Sequence, residues 1–104
     1  MAAVLIRALE PLEGIELMKN HRGTERLLHL TRGPGRLAAA MRIDKRYDGM
    51  DLCSSGPLWL GAPVKAAGSM GSSVRIGITR ETNRVWRFYE RDSVFVSGPK
   101  RLRV

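Results

Sequence analysis

Apolar positions along this chain come in short bursts separated by glycine, proline and charge, and the first burst is the most continuous. Ala2-Ala3-Val4-Leu5-Ile6 runs into Arg7, then into Ala8-Leu9-Glu10 and Pro11. A short apolar run with β-branched residues predicts a strand covered on both faces. Pro11 ends it, because proline has no N–H for a sheet ladder. A period of two sets Leu5, Arg7 and Leu9 on one face and Val4, Ile6 and Ala8 on the other. A guanidinium on such a strand is costly unless it is paired or faces a polar space. Arg7 therefore meets a carboxylate or edge water, or it lines a site for something anionic or polar.

The pattern then changes period. Ile15-Glu16-Leu17-Met18-Lys19-Asn20-His21 has its acid early, its bases late and Gly23 just beyond, which predicts a helix with charges suited to its dipole. Thr24 to Leu30 adds at most a further helical turn. Pro34 suits the first position of a second helix running through Leu37-Ala38-Ala39-Ala40-Met41, with Thr31 or Gly33 as its cap. From Asp44 to Gly56 the chain is polar and turn-like, and Leu58-Trp59-Leu60 predicts a short strand. Gly61 to Ser73 is rich in small residues and proline and reads as a loop. Strands are predicted over Val74 to Thr79, Trp86 to Glu90 and Val94 to Ser97, with turns at Arg80 to Asn83 and Arg91 to Ser93. A basic tail follows from Gly98. No βαβ rhythm is present, so the fold class is α+β with a mainly antiparallel sheet and two or so helices.

Composition narrows the function. At 104 residues the chain makes one domain at most. Lys plus Arg 18 against Asp plus Glu 10 gives a net charge of +8. Arginine dominates, and its planar fork suits phosphates and base edges better than an ammonium does. Such a balance points to a polyanionic partner, nucleic acid first, against the plainer reading of a solubilising basic surface. The single cysteine, Cys53, excludes an internal disulfide and a cysteine-based zinc cage. No run approaches the length of a membrane span and no signal peptide is visible, so an intracellular protein is expected: cytoplasm or nucleoid, or nucleus in a eukaryote.

Several stretches could carry chemistry, each with a plainer alternative. Gly33-Pro34-Gly35-Arg36 could hold a phosphate on backbone N–H groups at a helix start, or be only a helix start. Gly77, inside a strand, marks a close backbone approach or a simple bend. Trp86, Phe88 and Tyr89 could stack bases, although aromatic residues at strand spacing more often form core. Asp44, Asp48 and Asp51 fail as a calcium loop and read as turn formers. Nothing arranges serine, histidine and aspartate as a triad.

An ordered set of motifs goes further. Val4-Leu5-Ile6-Arg7-Ala8-Leu9-Glu10-Pro11-Leu12-Glu13-Gly14, Arg32-Gly33-Pro34-Gly35-Arg36-Leu37 and Trp86-Arg87-Phe88-Tyr89 resemble the C-terminal half of the DNA-3-methyladenine (alkyladenine) DNA glycosylases. Ile43-Asp44-Lys45, Asp51-Leu52, Trp59-Leu60, Arg75-Ile76-Gly77-Ile78 and Phe95-Val96-Ser97 continue the likeness in the same order. The resemblance implies a base-excision repair enzyme that flips an alkylated purine out of double-stranded DNA and hydrolyses its N-glycosidic bond with an activated water. It implies no metal and no other cofactor, no Schiff-base lysine, and a curved sheet within a single-domain fold. By the same likeness Arg7 and the backbone carbonyl of Ile76 hold the catalytic water. Leu5 and Gly77 border the flipped base, and Arg22, Gly33, Gly35, Arg36 and Lys45 lie on the DNA-contacting surface.

The family's catalytic glutamate and its wedging tyrosine belong to a segment upstream of the first strand. The expectation is therefore that residues 1–104 form the C-terminal portion of the glycosylase domain without the general base. Such a chain binds DNA weakly and in a salt-dependent way, does not turn over alone, and self-associates through its exposed sheet surface. The competing expectation is a non-catalytic nucleic-acid-binding module.

Overall fold

The computed structural model describes residues 3–63, 68–74, 84–85 and 87–98. Two helices and a two-stranded antiparallel sheet make it an α+β structure, in the order α1 (Ile15–Arg22), α2 (Pro34–Met41), β1 (Met70–Ser73) and β2 (Arg87–Glu90).

Helix α1 starts after Gly14 (φ 71°) and stops at Gly23 (φ 66°), whose N–H donates to the Lys19 carbonyl at 2.8 Å. Lys19 bonds Glu16 one turn back at 3.2 Å. None of its residues is fully buried, and a helix this short is marginal by itself. Docking on α2 supplies the rest, through His21, whose Nδ1 donates to the Ala40 carbonyl at 2.7 Å. Past α1, the Thr24–Leu30 stretch contains a single 3-10 turn over Leu27–His29.

Helix α2 begins with Pro34 directly after Gly33, as its sequence predicts, and turns Leu37 and Ala40 inward. It ends on Arg42 in the left-handed region (φ 53°), a conformation usually left to glycine. The Ile43 N–H then closes back on the Ala38 carbonyl at 2.8 Å. Asp44 and Asp51 form turns: their carboxylates accept the N–H groups of Arg46 and Cys53 at 3.0 Å and 2.9 Å. The Arg46 guanidinium and then the Arg46 N–H hold the Asp44 carboxyl below the usual aspartate range, and the Cys53 N–H and then the Ser54 hydroxyl do the same for Asp51. The turn-former reading holds for these two.

The leading segment is not the strand its sequence predicts. Among the described residues it makes one isolated antiparallel bridge, Ala8 to Arg32. The Gly33 N–H donates to the Arg7 carbonyl at 2.8 Å, and the Thr31 hydroxyl donates to the Leu9 carbonyl. Val4 remains 91% exposed and Leu5 64%. Apolar character marks a run that wants cover, yet a strand also needs neighbours along its backbone, and the described residues offer one bridge.

Two further strands are corrected. Leu58-Trp59-Leu60 is irregular, with the Leu60 N–H donating to the Leu52 carbonyl at 2.7 Å. Val94 and Phe95 form a turn, while Val96 and Ser97 are buried without strand pairing. The strand predicted over Val74 to Thr79 lies outside the described residues beyond Val74, as do Ile76, Gly77 and Trp86.

Conversely, β1 forms inside the stretch read as a loop. It pairs with β2 in the register Met70 to Glu90, Gly71 to Tyr89, Ser72 to Phe88 and Ser73 to Arg87. The reason lies at Gly71, where an added Cβ would come within 2.6 Å of the Tyr89 ring. The ring lies on the facing backbone, so this strand needs small residues that score poorly for strand formation. Among the described residues, Leu30, Leu37, Ala40, Tyr89 and Val96 are the buried apolar side chains of this small core.

Candidate functional site

An open groove of about 990 Å3 lies between the leading segment and the chain from Arg87 to Ser97. Its walls follow from the anchors just described. Thr31 and Gly33 hold the leading segment at Leu9 and Arg7, and the opposite wall is held by two arginines. Arg32 donates through Nε to the Val96 carbonyl at 3.2 Å. Arg87, 4% exposed, donates from Nη1 to the Ser73 hydroxyl at 2.8 Å and from Nη2 to the Ser97 carbonyl. Its guanidinium lies 4.8 Å from the centre of the Tyr89 ring, in cation–π range.

Arg7 is half-buried and lines this groove with Leu5. Its Nε is buried and has no hydrogen-bond partner among the described residues. An unsatisfied guanidinium N–H is costly, so it points to a ligand or water as its partner. Glu10, Glu90 and Asp92 also line the groove, which therefore presents both signs of charge. Phe88 is exposed on the groove while Tyr89 is buried, so alternation along β2 divides the aromatic group foreseen as a platform.

The basic positions fall into two places. Arg22, at the end of α1, donates from Nη2 to the His29 carbonyl at 3.0 Å and from Nε to the Leu30 carbonyl at 3.2 Å. Two of its donors are thus fixed on backbone. Arg36, in the first turn of α2, and Gly35 are exposed. Gly33 spends its N–H on Arg7, so that group is not free for a phosphate. Lys45 is exposed in a 3-10 turn (Lys45–Tyr47) beyond the far end of α2.

The structure thus brings Leu5, Arg7 and Gly33 to one locality and Arg22 and Arg36 to another, with Lys45 apart. Ile76 and Gly77 lie outside the described residues. Sequence reading missed Arg32 and Arg87 as holders of the groove wall. The one available signal was an arginine alternating with Tyr89 on a strand. It also missed His29, whose half-buried imidazole is held below the usual histidine range by burial and then by Arg26, Arg36, Arg32 and Arg22.

The family model of methylpurine-DNA glycosylase (MPG) matches residues 1–94 of the chain that forms this groove. The chain belongs to that DNA-repair glycosylase family. Among individual relatives, a protein of Mesorhizobium japonicum named "Putative 3-methyladenine DNA glycosylase" is 62% identical over 99 residues, covering 95% of this chain and 48% of the relative. Proteins of the same name from Paraburkholderia phytofirmans and Methanocella arvoryzae are 45% and 42% identical, covering 99% and 92% of this chain. They are themselves covered to 48% and 50%. The chain spans about half the length of the curated relatives it matches. No helix among the described residues is long and apolar enough to cross a membrane.

Proposed function

We propose that this chain is the C-terminal portion of a glycosylase domain that removes alkylated purines of the 3-methyladenine type from double-stranded DNA. The observation that carries the reading is the buried Arg7 Nε, without a hydrogen-bond partner among the described residues, at a groove wall in a chain of this family. Hydrolysis of an N-glycosidic bond passes through an oxocarbenium-like state, so the attacking water must be held beside the sugar. Arg7 Nε serves as one holder and the Ile76 carbonyl as the second. Leu5 and Gly77 border the extruded base. Arg22, Arg36 and Lys45 receive backbone phosphates, with the helix start at Gly33 and Gly35 beside them. These roles orient and bind, and none of them abstracts a proton. The general base belongs to a segment other than residues 1–104, and the chain alone is expected not to turn over.

The test compares binding of the purified chain to a duplex with one alkylated or deaminated purine and to its undamaged counterpart. Tighter binding to the damaged duplex, lost in Arg7→Gln, is expected, with no free base released. Equal affinity for both duplexes, unchanged in Arg7→Gln, removes the reading. Release of 3-methyladenine or hypoxanthine removes the expectation of no turnover. A second reading, a non-catalytic nucleic-acid-binding module, is favoured by the arginines around His29, which suit any phosphate backbone; equal affinity for both duplexes is its signature.

A further inference from the structure

The arginines around His29 come from four separate places in the fold. Arg22 closes α1, Arg26 caps the 3-10 turn over Leu27–His29, Arg32 precedes α2 and Arg36 lies in its first turn. They are brought together by the backbone. The Arg22 guanidinium clasps the His29 and Leu30 carbonyls, and the Arg26 carbonyl accepts the His29 N–H at 3.0 Å. Arg32 is tethered to Val96. Arg26 and Arg36 stay exposed. The charged groups acting on the imidazole are all cationic. Among the described residues no carboxylate pairs with any of the four arginines; the nearest acid in sequence, Glu25, reaches Lys19 at 3.6 Å instead. Like charges gathered around a half-buried imidazole repel one another and are relieved by a bound anion.

We propose that His29 and Arg26 extend the phosphate-binding surface of Arg22 and Arg36, and that the His29 imidazole takes up a proton as a nucleic-acid backbone phosphate docks there. This rests on the reading of nucleic acid as the partner. In the free protein burial and then the surrounding cations disfavour the protonated imidazole. A docked phosphate diester offsets that field, so the protonated ring becomes a further donor to it. Binding and protonation are then linked: phosphate favours the proton, and the proton favours phosphate by the same factor.

The test is fluorescence anisotropy of the full chain with a short, labelled, undamaged duplex at low salt, from about pH 8 to about pH 5. Affinity is expected to rise as pH falls, approaching about tenfold per pH unit where His29 titrates. His29→Gln flattens that rise, while His21 remains in place as an internal comparison. Arg26→Gln reduces the slope of log affinity against log salt by about 0.9, the signature of one lost phosphate contact. The NMR titration of the His29 ring moves to higher pH when duplex is added. Full pH dependence in His29→Gln, or an unmoved His29 titration with duplex bound, overturns the proposal. Both of those results leave DNA binding intact and so spare the functional reading. A chain that binds no duplex at any salt overturns both.

Discussion

At His29 the electrostatics carry a stability consequence independent of any ligand. Its folded titration lies below the ordinary histidine value of 6.5 because of burial and the nearby arginines. The unfolded chain therefore binds this proton more readily, and stability is fully present above about pH 6.5 and is lost as pH falls through the folded value. His29→Gln is expected to lose less stability on acidification than the natural chain, read from urea midpoints at neutral and mildly acidic pH. Arg42 offers a second residue-level case. It ends α2 in the left-handed region without being glycine. Arg42→Gly is expected to raise stability by about 0.5–1 kcal/mol, since glycine takes that conformation without steric cost, and urea denaturation at neutral pH measures it. At this scale the sequence was legible where chemistry is local: the helix-stopping Gly23, the helix-starting Pro34 and the turn-forming Asp44 and Asp51 all act through atoms a few positions away. It was opaque for Arg22, Arg32 and Arg87, whose donors reach carbonyls 8, 64 and 10 positions off.

The elements divide along the same line. Both helices stand where charge order, glycine and proline predict, because caps and dipole effects operate within a turn. The sheet does not. Residues with high strand propensity at Val94–Ser97 make a turn and a buried irregular segment, while Met70-Gly71-Ser72-Ser73, poor in such residues, pairs with β2. What decides β1 is the Tyr89 ring laid against Gly71, a cross-strand contact 18 positions away. Gly71→Ala is therefore expected to destabilise the chain by about 1–3 kcal/mol, since the added methyl meets a buried ring that cannot easily move. Tyr89→Leu in the same background is expected to recover part of that loss, and thermal melts of the two single variants and the double variant would show it.

Across the whole molecule, arginine works on two fronts. Arg26, Arg36 and Lys45 face outward and sustain the expectation of a polyanionic partner, whereas Arg32 and Arg87 are drawn inward to hold Val96 and Ser97. Part of the charge read as a binding surface is thus a structural stitch along the groove. Arg87→Met is expected to cost about 2–4 kcal/mol by leaving the Ser97 carbonyl and Ser73 hydroxyl without their partner. Combined with Arg32→Gln its effect is expected to be non-additive, because both arginines restrain one segment. Denaturant unfolding of the four proteins in the cycle measures the coupling. The groove rim also exposes Val4, Leu5, Ile6, Phe88 and Val94. Contiguous apolar surface of this kind favours association, so sedimentation is expected to depend on concentration. Val4→Lys with Val94→Lys is expected to shift it toward monomer.

Taken by itself, the sequence determined the two helices, the basic balance and, through ordered motifs, the family, because each depends on neighbouring residues or on residue order. Only the tertiary structure decided that the leading apolar run makes a single bridge among the described residues, that a glycine-serine stretch becomes a strand, and that a buried Arg7 N–H at a groove finds no partner among those residues. Sheet pairing and burial are set by what lies across from a residue in space, and a linear pattern does not name that partner.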